Sequence, residues 1–123
     1  GISFAPRIYI RYVDDISAVF GCDNEKCAFF NHHNQKHPNL KFTLENATDC
    51  LPFLDVEVRI RNANIKTSVY RKKTHTNVFM NYNSIVPTSW KFGLIDAMLN
   101  RAWSICSSRE LLNAEIVKLR KCL

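Results

Sequence analysis

The chain has 123 residues, 46% of them hydrophobic, which is enough for the core of one domain but not for several domains. Three glycines and four prolines exclude a low-complexity chain, and no apolar run is long enough to cross a membrane. The formal net charge of +6 favours a polyanionic partner, nucleic acid first. The five cysteines contain no Cys-x-x-Cys pair, so we expect free thiols in a reducing, intracellular compartment.

The N-terminal part of the chain predicts a hairpin followed by a helix. Two runs rich in β-branched and aromatic residues flank Asp14 and Asp15, and such runs are typical of strands joined by a tight turn. Asp23 or Asn24 is the expected N-cap of the helix. The predicted elements are a hairpin over residues 7–20, a helix over residues 25–36 and a strand over residues 40–44.

The middle of the chain alternates most clearly between apolar and charged residues. Val56, Val58 and Ile60 point to one side of a predicted strand, and the charged residues between them point to the other. A turn at residues 62–64 leads into the partner strand. The sequence therefore predicts a second hairpin over residues 53–71, half-buried and with a charged outer face.

The C-terminal part predicts a loop and two helices. The polar and aromatic loop is expected to contain a short strand at residues 78–82. Thr88 or Ser89 is the expected cap of the first helix, and Ser107 with Glu110 matches the capping box that begins the second. The order of elements predicts an α+β fold, and the two helices are similar to a helix-turn-helix.

The aspartate pair has two interpretations. Two carboxylates at a hairpin tip supply the hard oxygen ligands that Mg²⁺ or Mn²⁺ shares with nucleotide phosphates, and a bound cation relieves their repulsion. Nucleotidyl transfer uses two such ions, roughly 3.5–4 Å apart, at the attacking and leaving oxygens. Alternatively, Asp14 and Asp15 belong to an ordinary solvated turn, where aspartates are common. The flanking strands and the downstream sequence favour the metal site.

The segment around the pair resembles the aspartate hairpin of reverse transcriptases. Further segments follow in the order and spacing of Penelope-like retroelement reverse transcriptases, and the resemblance covers about residues 8–106, which is too extensive for a chance motif. The matching segments are RYVDDI (11–16), LPFLDV (51–56), VYRKKTHT (69–76), Ser84 with Pro87 and Lys91, and NRA (100–102).

This resemblance implies antiparallel hairpins of a right-hand polymerase palm with one packed helix, followed by a helical thumb. Residues 1–73 would be the C-terminal part of the palm, and residues 74–123 the connection and the start of the thumb. Asp14 would hold the catalytic metal, Mg²⁺ or Mn²⁺, and Asp15 would support it. Tyr12 would lie beside the primer end or the incoming nucleotide.

The resemblance also implies the substrates and the rest of the enzyme. The full protein would be an RNA-directed DNA polymerase that extends a DNA primer on an RNA template with deoxynucleoside triphosphates, and it would act in the nucleus. The hairpin over residues 53–71 would support the primer terminus. The fingers and the N-terminal palm, with a further catalytic aspartate, would precede Gly1, so we expect the isolated chain to be inactive.

A basic run with aromatic rings nearby suggests phosphate contacts and base stacking, although a solvated charge run is the alternative. Lys91 and Arg101 lie about 80° apart on a helical wheel, so they could face nucleic acid together. The predicted nucleic-acid-binding residues are Tyr12, Tyr70, Arg71, Lys72, Lys73, Lys91 and Arg101.

Competing hypotheses stay open. A decayed, catalytically dead copy would keep these motifs and act at most as a nucleic-acid-binding module. A polymerase of another lineage, such as a group II intron-type maturase, would carry the same aspartate hairpin. Cys22, Cys27, His32 and His37 lack the spacing of a zinc knuckle, so free cysteines and helix-surface histidines are the expected account.

Overall fold

The computed structural model of the chain describes residues 5–123 and has the α+β architecture that the sequence predicts. The chain divides into two compact units, one up to Ala47 and one from Thr48 to Leu123. The division lies inside the predicted palm segment, so the assignment of segments to palm and thumb stays a prediction. The elements are β1 (Ile8–Tyr12), β2 (Asp15–Val19), α1 (Asp23–Gln35), β3 (Cys50–Phe53), β4 (Val56–Arg61), β5 (Asn64–Val69), α2 (Thr88–Ile105) and α3 (Arg109–Cys122).

The first unit is built from the predicted hairpin and one helix. β1 and β2 pair antiparallel with Tyr12 opposite Asp15, which leaves residues 13–14 as a two-residue turn. The ring of Phe29 in α1 lies 5.3 Å from the ring of Phe20, just after β2. This aromatic contact links the helix to the end of the hairpin opposite its turn.

The predicted cap of α1 is wrong. Cys22 is the N-cap residue, and no side chain satisfies the first backbone N–H groups of the helix. Asp23 is instead the first helical residue, and its carboxylate bonds to Lys26 at 2.7 Å. This exposed pair lowers the pKa of Asp23, chiefly through the hydrogen bond from Lys26. Lys26, one turn further along the helix, therefore binds the carboxylate of Asp23, which the sequence pattern predicted as a cap.

The strand predicted at residues 40–44 is absent. The backbone N–H of Phe42 donates to Oδ1 of Asn34 at 2.6 Å, and Nζ of Lys41 donates to the carbonyl of Asn34 at 3.2 Å. This segment is therefore held by the end of α1 instead of by a neighbouring strand. Alternation alone does not make a strand when the segment does not pair with a sheet.

The second unit contains a three-stranded antiparallel sheet in the order β3-β4-β5. β4 and β5 confirm the predicted second hairpin, and Asn62 and Ala63 form its turn with φ of +50° and +61°. The sequence does not predict β3, because Pro52 cannot donate to a strand ladder. The proline is accommodated because β3 lies at the edge of the sheet.

Both C-terminal helices begin differently from prediction. α2 starts directly after Pro87, and neither Thr88 nor Ser89 caps it with a side chain. The hydroxyl of Ser108 caps α3 by accepting the N–H of Leu111 at 3.3 Å, one residue later than the predicted capping box. The preceding serine has another partner, described below with the helix-turn-helix.

The loop before α2 contains no strand at residues 78–82. Its polar side chains bond to the nearby backbone: the N–H of Asn77 donates to Nδ1 of His75 at 2.9 Å, and the N–H of Asn83 donates to Oδ1 of Asn81 at 2.9 Å. Such local bonds compete with strand pairing. The polar side chains therefore determine the structure of this segment, although its aromatic residues favour a strand.

The second unit has a small core between α2, α3 and β5. Ala102 and Leu119 are 1% and 4% exposed, and Glu115 is equally buried beside them. Trp103 lies at helical spacing from the apolar Leu99, a pattern that favours burial, yet Trp103 is 74% exposed. Among the described residues, no helix combines the length and the apolar character needed to cross a membrane.

Candidate functional site

The aspartate pair lies at the tip of the first hairpin. Asp14 is the second residue of the turn, and Asp15 is the first residue of β2. Both residues are exposed, and neither side-chain carboxylate makes a hydrogen bond or an ion pair with any residue from 5 to 123. Two unpaired carboxylates on adjacent residues repel each other, and nothing in the described part of the chain offsets that repulsion.

The backbone before the pair is strained. Val13 has φ of +52°, in the left-handed region that a β-branched residue rarely enters. Such a conformation costs about 1–3 kcal/mol and persists when the surrounding structure imposes it. Nε of Arg11 donates to the carbonyl of Val13 at 2.8 Å, which fixes the turn from the side of β1. Tyr12 is 60% exposed beside it.

A second turn has the same backbone type but a different role. Leu54, between β3 and β4, has φ of +54° and is also followed by an aspartate. That aspartate, Asp55, has partners. Its carboxylate lies 3.4 Å from Nη2 of Arg101, and its backbone carbonyl accepts the N–H of Tyr70 at 2.8 Å. Backbone strain alone therefore does not mark a metal site. The distinguishing feature of the first turn is a pair of carboxylates without partners.

The carboxylates of Asp14 and Asp15 fit the ligand chemistry of Mg²⁺ or Mn²⁺. Mg²⁺ is typically held by one or two carboxylates and completes its shell with water and substrate phosphates. The exposed tip leaves room for such additional ligands. Within residues 5–123, however, no cluster of three or more histidine, cysteine, aspartate or glutamate side chains could hold a metal ion. The metal role of Asp14 and Asp15 therefore stays a prediction.

The second candidate surface is formed by α2, α3 and the turn between them. Three hydrogen bonds tie this turn to β5. Thr67 donates its N–H to Oγ of Ser107 at 2.9 Å and accepts the N–H of Ser107 at 3.0 Å, while its hydroxyl donates to the carbonyl of Ile105 at 2.6 Å. The turn therefore covers the outer edge of β5, which would otherwise expose unpaired backbone groups.

We expect Ser107→Ala to lower the free energy of unfolding by about 1 kcal/mol, since one side-chain bond to β5 is lost. Thermal unfolding followed by circular dichroism measures the change. Ser104→Ala, on the exposed side of α2, serves as the control. Equal melting temperatures for the two variants would show that the turn does not depend on this bond.

A partly buried ion pair joins the end of the sheet to α3. Nη1 of Arg71 donates to Oε2 of Glu115 at 2.9 Å, and Nη2 bonds to Oε1, so the pair is bidentate. The hydrogen bond to Glu115 raises the pKa of Arg71. Because the pKa is raised, the guanidinium contributes its full stabilisation at every pH below the ordinary pKa of an arginine side chain. This range includes all neutral pH values. Arg71, predicted to bind nucleic acid, thus has a structural partner.

Several predicted nucleic-acid-binding residues line one cavity of about 280 Å³ in the second unit. Tyr70, Arg71, Lys72 and Arg101 all contribute to its wall, together with His75. The first four are separated by up to 31 positions in sequence, and the contact between β5 and α2 brings them to one place. Residues that the basic run and the helical wheel predicted therefore share a surface, two of them are bound to acidic partners, and their role in binding nucleic acid stays a prediction.

Lys73 and Lys91 lie outside this cavity. Lys73 is exposed. Nζ of Lys91 donates to the carbonyl of Tyr82 and lies 4.9 Å from the centre of its ring, which holds the loop against the start of α2. Arg101 bonds to Asp55 in the sheet. Lys91 and Arg101 thus make separate contacts within the second unit, and their joint role in binding nucleic acid stays a prediction.

Sequence reasoning missed Glu115, although the pattern contains a signal for it. Glu115 falls between Leu112 and Leu119 on the apolar stripe of α3. A carboxylate at such a position must be buried with a cation or distort the packing. Its partner could have been sought among the arginines of the preceding sheet.

Comparison with known families identifies the C-terminal region. Residues 78–123 match the Animal helix-turn-helix domain, and this range includes all of α2 and α3. The helix-turn-helix predicted for this part of the chain is therefore confirmed. No curated protein and no solved structure gives a significant match. The resemblance of residues 8–106 to reverse transcriptases stays a prediction.

Proposed function

We propose that this chain binds nucleic acid through its helix-turn-helix and belongs to an RNA-directed DNA polymerase, in which the aspartate hairpin holds the catalytic metal. The single observation that supports the catalytic role is the exposed, unpartnered pair of Asp14 and Asp15 on a strained two-residue turn. Strained backbone and unpaired charges destabilise a fold, and they occur more often at functional sites than elsewhere. This turn is therefore our candidate for the catalytic centre.

The proposed chemistry divides between the metal and the hairpin. Mg²⁺ or Mn²⁺, when bound, supplies charge stabilisation at the oxygens of the transferred nucleotide. Asp14 holds the ion, and Asp15 supports it from the first position of β2. The bond from Arg11 to the turn carbonyl keeps both carboxylates at the tip. Tyr12, exposed beside them, is placed to contact the primer end or the incoming nucleotide.

The nucleic-acid role rests on the C-terminal region. In helix-turn-helix proteins the second helix approaches the groove with its N-terminal residues, and neighbouring groups contact the backbone. α3 occupies that position here. Its exposed basic side chains are Arg109, Lys118, Arg120 and Lys121. The proposed ligand is the template–primer duplex.

A second candidate function is a nucleic-acid-binding module without catalysis. The observation that favours it is that the helix-turn-helix match covers residues 78–123, none of which belongs to the aspartate hairpin. Loss of the metal site would therefore leave the binding role intact. Metal binding by the hairpin separates the two functions.

The test is a titration of the 123-residue chain with Mn²⁺, followed by paramagnetic broadening of backbone amide signals. We expect broadening at residues 12–16, with an affinity on the order of millimolar because only two carboxylates contribute. Asp14→Asn should abolish it. Asp96→Asn removes a single exposed carboxylate on α2 and serves as the control.

The turn at Leu54 and Asp55 provides an internal comparison in the same spectra, because its aspartate is already paired with Arg101. Broadening of equal strength at both turns would mean that the ion finds only scattered surface charge. In that case the metal role of Asp14 is rejected, and the non-catalytic binding module is favoured.

A further inference from the structure

One side of α2 carries a stripe of large apolar side chains that the described part of the chain leaves uncovered. Phe92 is 61% exposed, Leu99 40% and Trp103 74%. The three residues lie within about 40° of one another on a helical wheel, so they form one continuous stripe. Exposed apolar residues that occur singly are ordinary, whereas a contiguous apolar patch marks an interaction surface.

A row of small residues runs beside this stripe. Gly93, Ala97 and Ser104 are exposed and lie about 100–140° from Phe92 on the wheel. A β-carbon at Gly93 would point into open space. Small side chains let a second helix approach closely, because the side chains at the contact set the distance between helix axes. We call the stripe and the row, with the residues between them, the outer face of α2.

The outer face lies away from the packing of α2 within the second unit. Ala102, which is 1% exposed, marks the packed side of the helix, where α2 contacts α3 and β5. On the wheel, Ala102 lies about 140° from the middle of the outer face. A helix laid on the outer face would therefore leave the internal contacts of α2 in place.

The charge of the outer face favours a protein partner. The face carries one charged residue, Asp96, which lies between the stripe and the row. A nucleic acid or an anionic lipid surface needs cations, and the residues that form this face offer none. Aromatic side chains combined with few charges are typical of the centre of a protein–protein interface.

The spacing of the stripe fits a second copy of α2 in antiparallel orientation. A two-fold axis at the height of Met98 leaves Phe92 six positions before the axis and Trp103 five positions after it. Each Phe92 then lies level with the partner's Trp103, and aromatic pairs of this kind stabilise interfaces. Leu99 lies beside the axis and meets the partner's Leu99.

The same arrangement accommodates the polar residues of the outer face. Asp96 and Asn100 lie two positions before and two positions after the axis, so each carboxylate faces the amide of the partner's Asn100. An asparagine amide donates hydrogen bonds that a carboxylate accepts. Gly93 and Ala97 come next to small residues of the partner, which allows the two helices to approach closely. The outer face is therefore complementary to itself, as a two-fold interface requires.

We infer that the chain forms a dimer through antiparallel contact between the outer faces of two α2 helices. From their exposed fractions, the three apolar side chains remove roughly 350 Å² per copy from water. The flanking residues extend this area towards the low end of specific interfaces, so we expect a dissociation constant on the order of 10–100 μM. The dimer uses neither the aspartate hairpin nor α3 and is independent of the proposed function.

The test is sedimentation equilibrium of the 123-residue chain without nucleic acid, at concentrations from about 1 μM to 1 mM. We expect a species with twice the mass of the chain to appear as the concentration rises. Two copies repel each other because each carries a net charge of +6, and salt screens this repulsion. Higher salt should therefore strengthen the dimer several-fold, whereas it weakens binding to a polyanion.

The double variant Phe92→Gln/Trp103→Gln should weaken the dimer by about tenfold or more, because it removes the aromatic pairs. The control Val78→Gln/Val117→Gln removes apolar side chains that are 77% and 51% exposed elsewhere in the second unit. Circular dichroism checks that both proteins remain folded. Equal dissociation constants for the two variants would overturn the inference, as would an unchanged chain that stays monomeric up to about 1 mM.

Gly93→Gln separates dimer formation from the stability of the helix. Glutamine forms helices better than glycine, so the variant should melt at a higher temperature at about 1 μM, where the chain is monomeric. Its side chain also fills the row of small residues, so the dimer should weaken about tenfold. Higher helix stability together with a weaker dimer supports the inference. A dimer of unchanged strength in this variant would place the contact elsewhere and overturn the inference.

Discussion

Asp14→Asn is expected to lower primer extension by about 10³-fold in a polypeptide that joins this chain to the rest of the proposed polymerase, because a metal ligand is worth several kcal/mol in the transition state. The assay measures extension of a DNA primer on an RNA template with Mg²⁺. Asparagine is well tolerated in turns, so the hairpin should remain folded. The loss would therefore report on the carboxylate and not on the backbone.

Asp15→Asn should show a smaller loss than Asp14→Asn, since Asp15 lies at the start of β2 and supports the ligand from the strand. Asp96→Asn, at an exposed position of α2, should extend the primer at the unchanged rate. Extension by the Asp14 variant at the rate of this control would exclude a catalytic role for the hairpin. Binding of the duplex should be preserved in all three variants.

The sequence predicts the first hairpin well because its signal is local. Alternating β-branched and aromatic residues form β1 and β2, and the aspartate pair falls at the turn. The conformation of Val13 is not predictable in this way, because the intrinsic preference of valine opposes a positive φ. Pairing of β1 with β2 imposes the conformation of the turn. The propensity of a single residue does not contain this effect of the paired strands.

The helix-turn-helix shows the same limit at longer range. The apolar spacing predicts both helices, yet the capping residue is displaced by one because Ser107 bonds to Thr67 instead. The two residues are separated by 40 positions, and nothing in the local pattern of either points to the other. Trp103 illustrates the converse, since its helical spacing suggests burial but no element of the second unit covers it.

The acidic candidate site of the first unit is predictable from the sequence, and the basic candidate surface of the second unit is predictable only in part. Adjacent aspartates at a turn are visible in the sequence, and the structure leaves them exposed. The basic run at residues 71–73 suggests nucleic-acid contacts, but Arg71 is held by Glu115, 44 positions later. Charge in a sequence shows that a partner is needed, and the fold decides whether that partner is internal or external.

Removal of either member of the Arg71–Glu115 pair is expected to lower the free energy of unfolding by about 3 kcal/mol, because the remaining charge is left buried. Glu115 is the more enclosed partner, with 5% of its side chain exposed against 21% for Arg71. Glu115→Leu should therefore leave a partly hydrated arginine without its partner. Arg71→Met should leave an almost fully buried carboxylate without its partner. For a unit of this size the melting temperature should fall by roughly 10 °C or more.

The double variant Arg71→Met/Glu115→Leu is expected to be more stable than either single variant and close to the unchanged chain, since apolar groups of similar size avoid the desolvation of two charges. Arg101→Met breaks the exposed pair with Asp55 and should cost less than about 1 kcal/mol. Thermal and urea unfolding measure the four variants and the unchanged chain. If instead the double variant loses the sum of the single losses, the side chains act independently, and the ion pair does not join the sheet to α3.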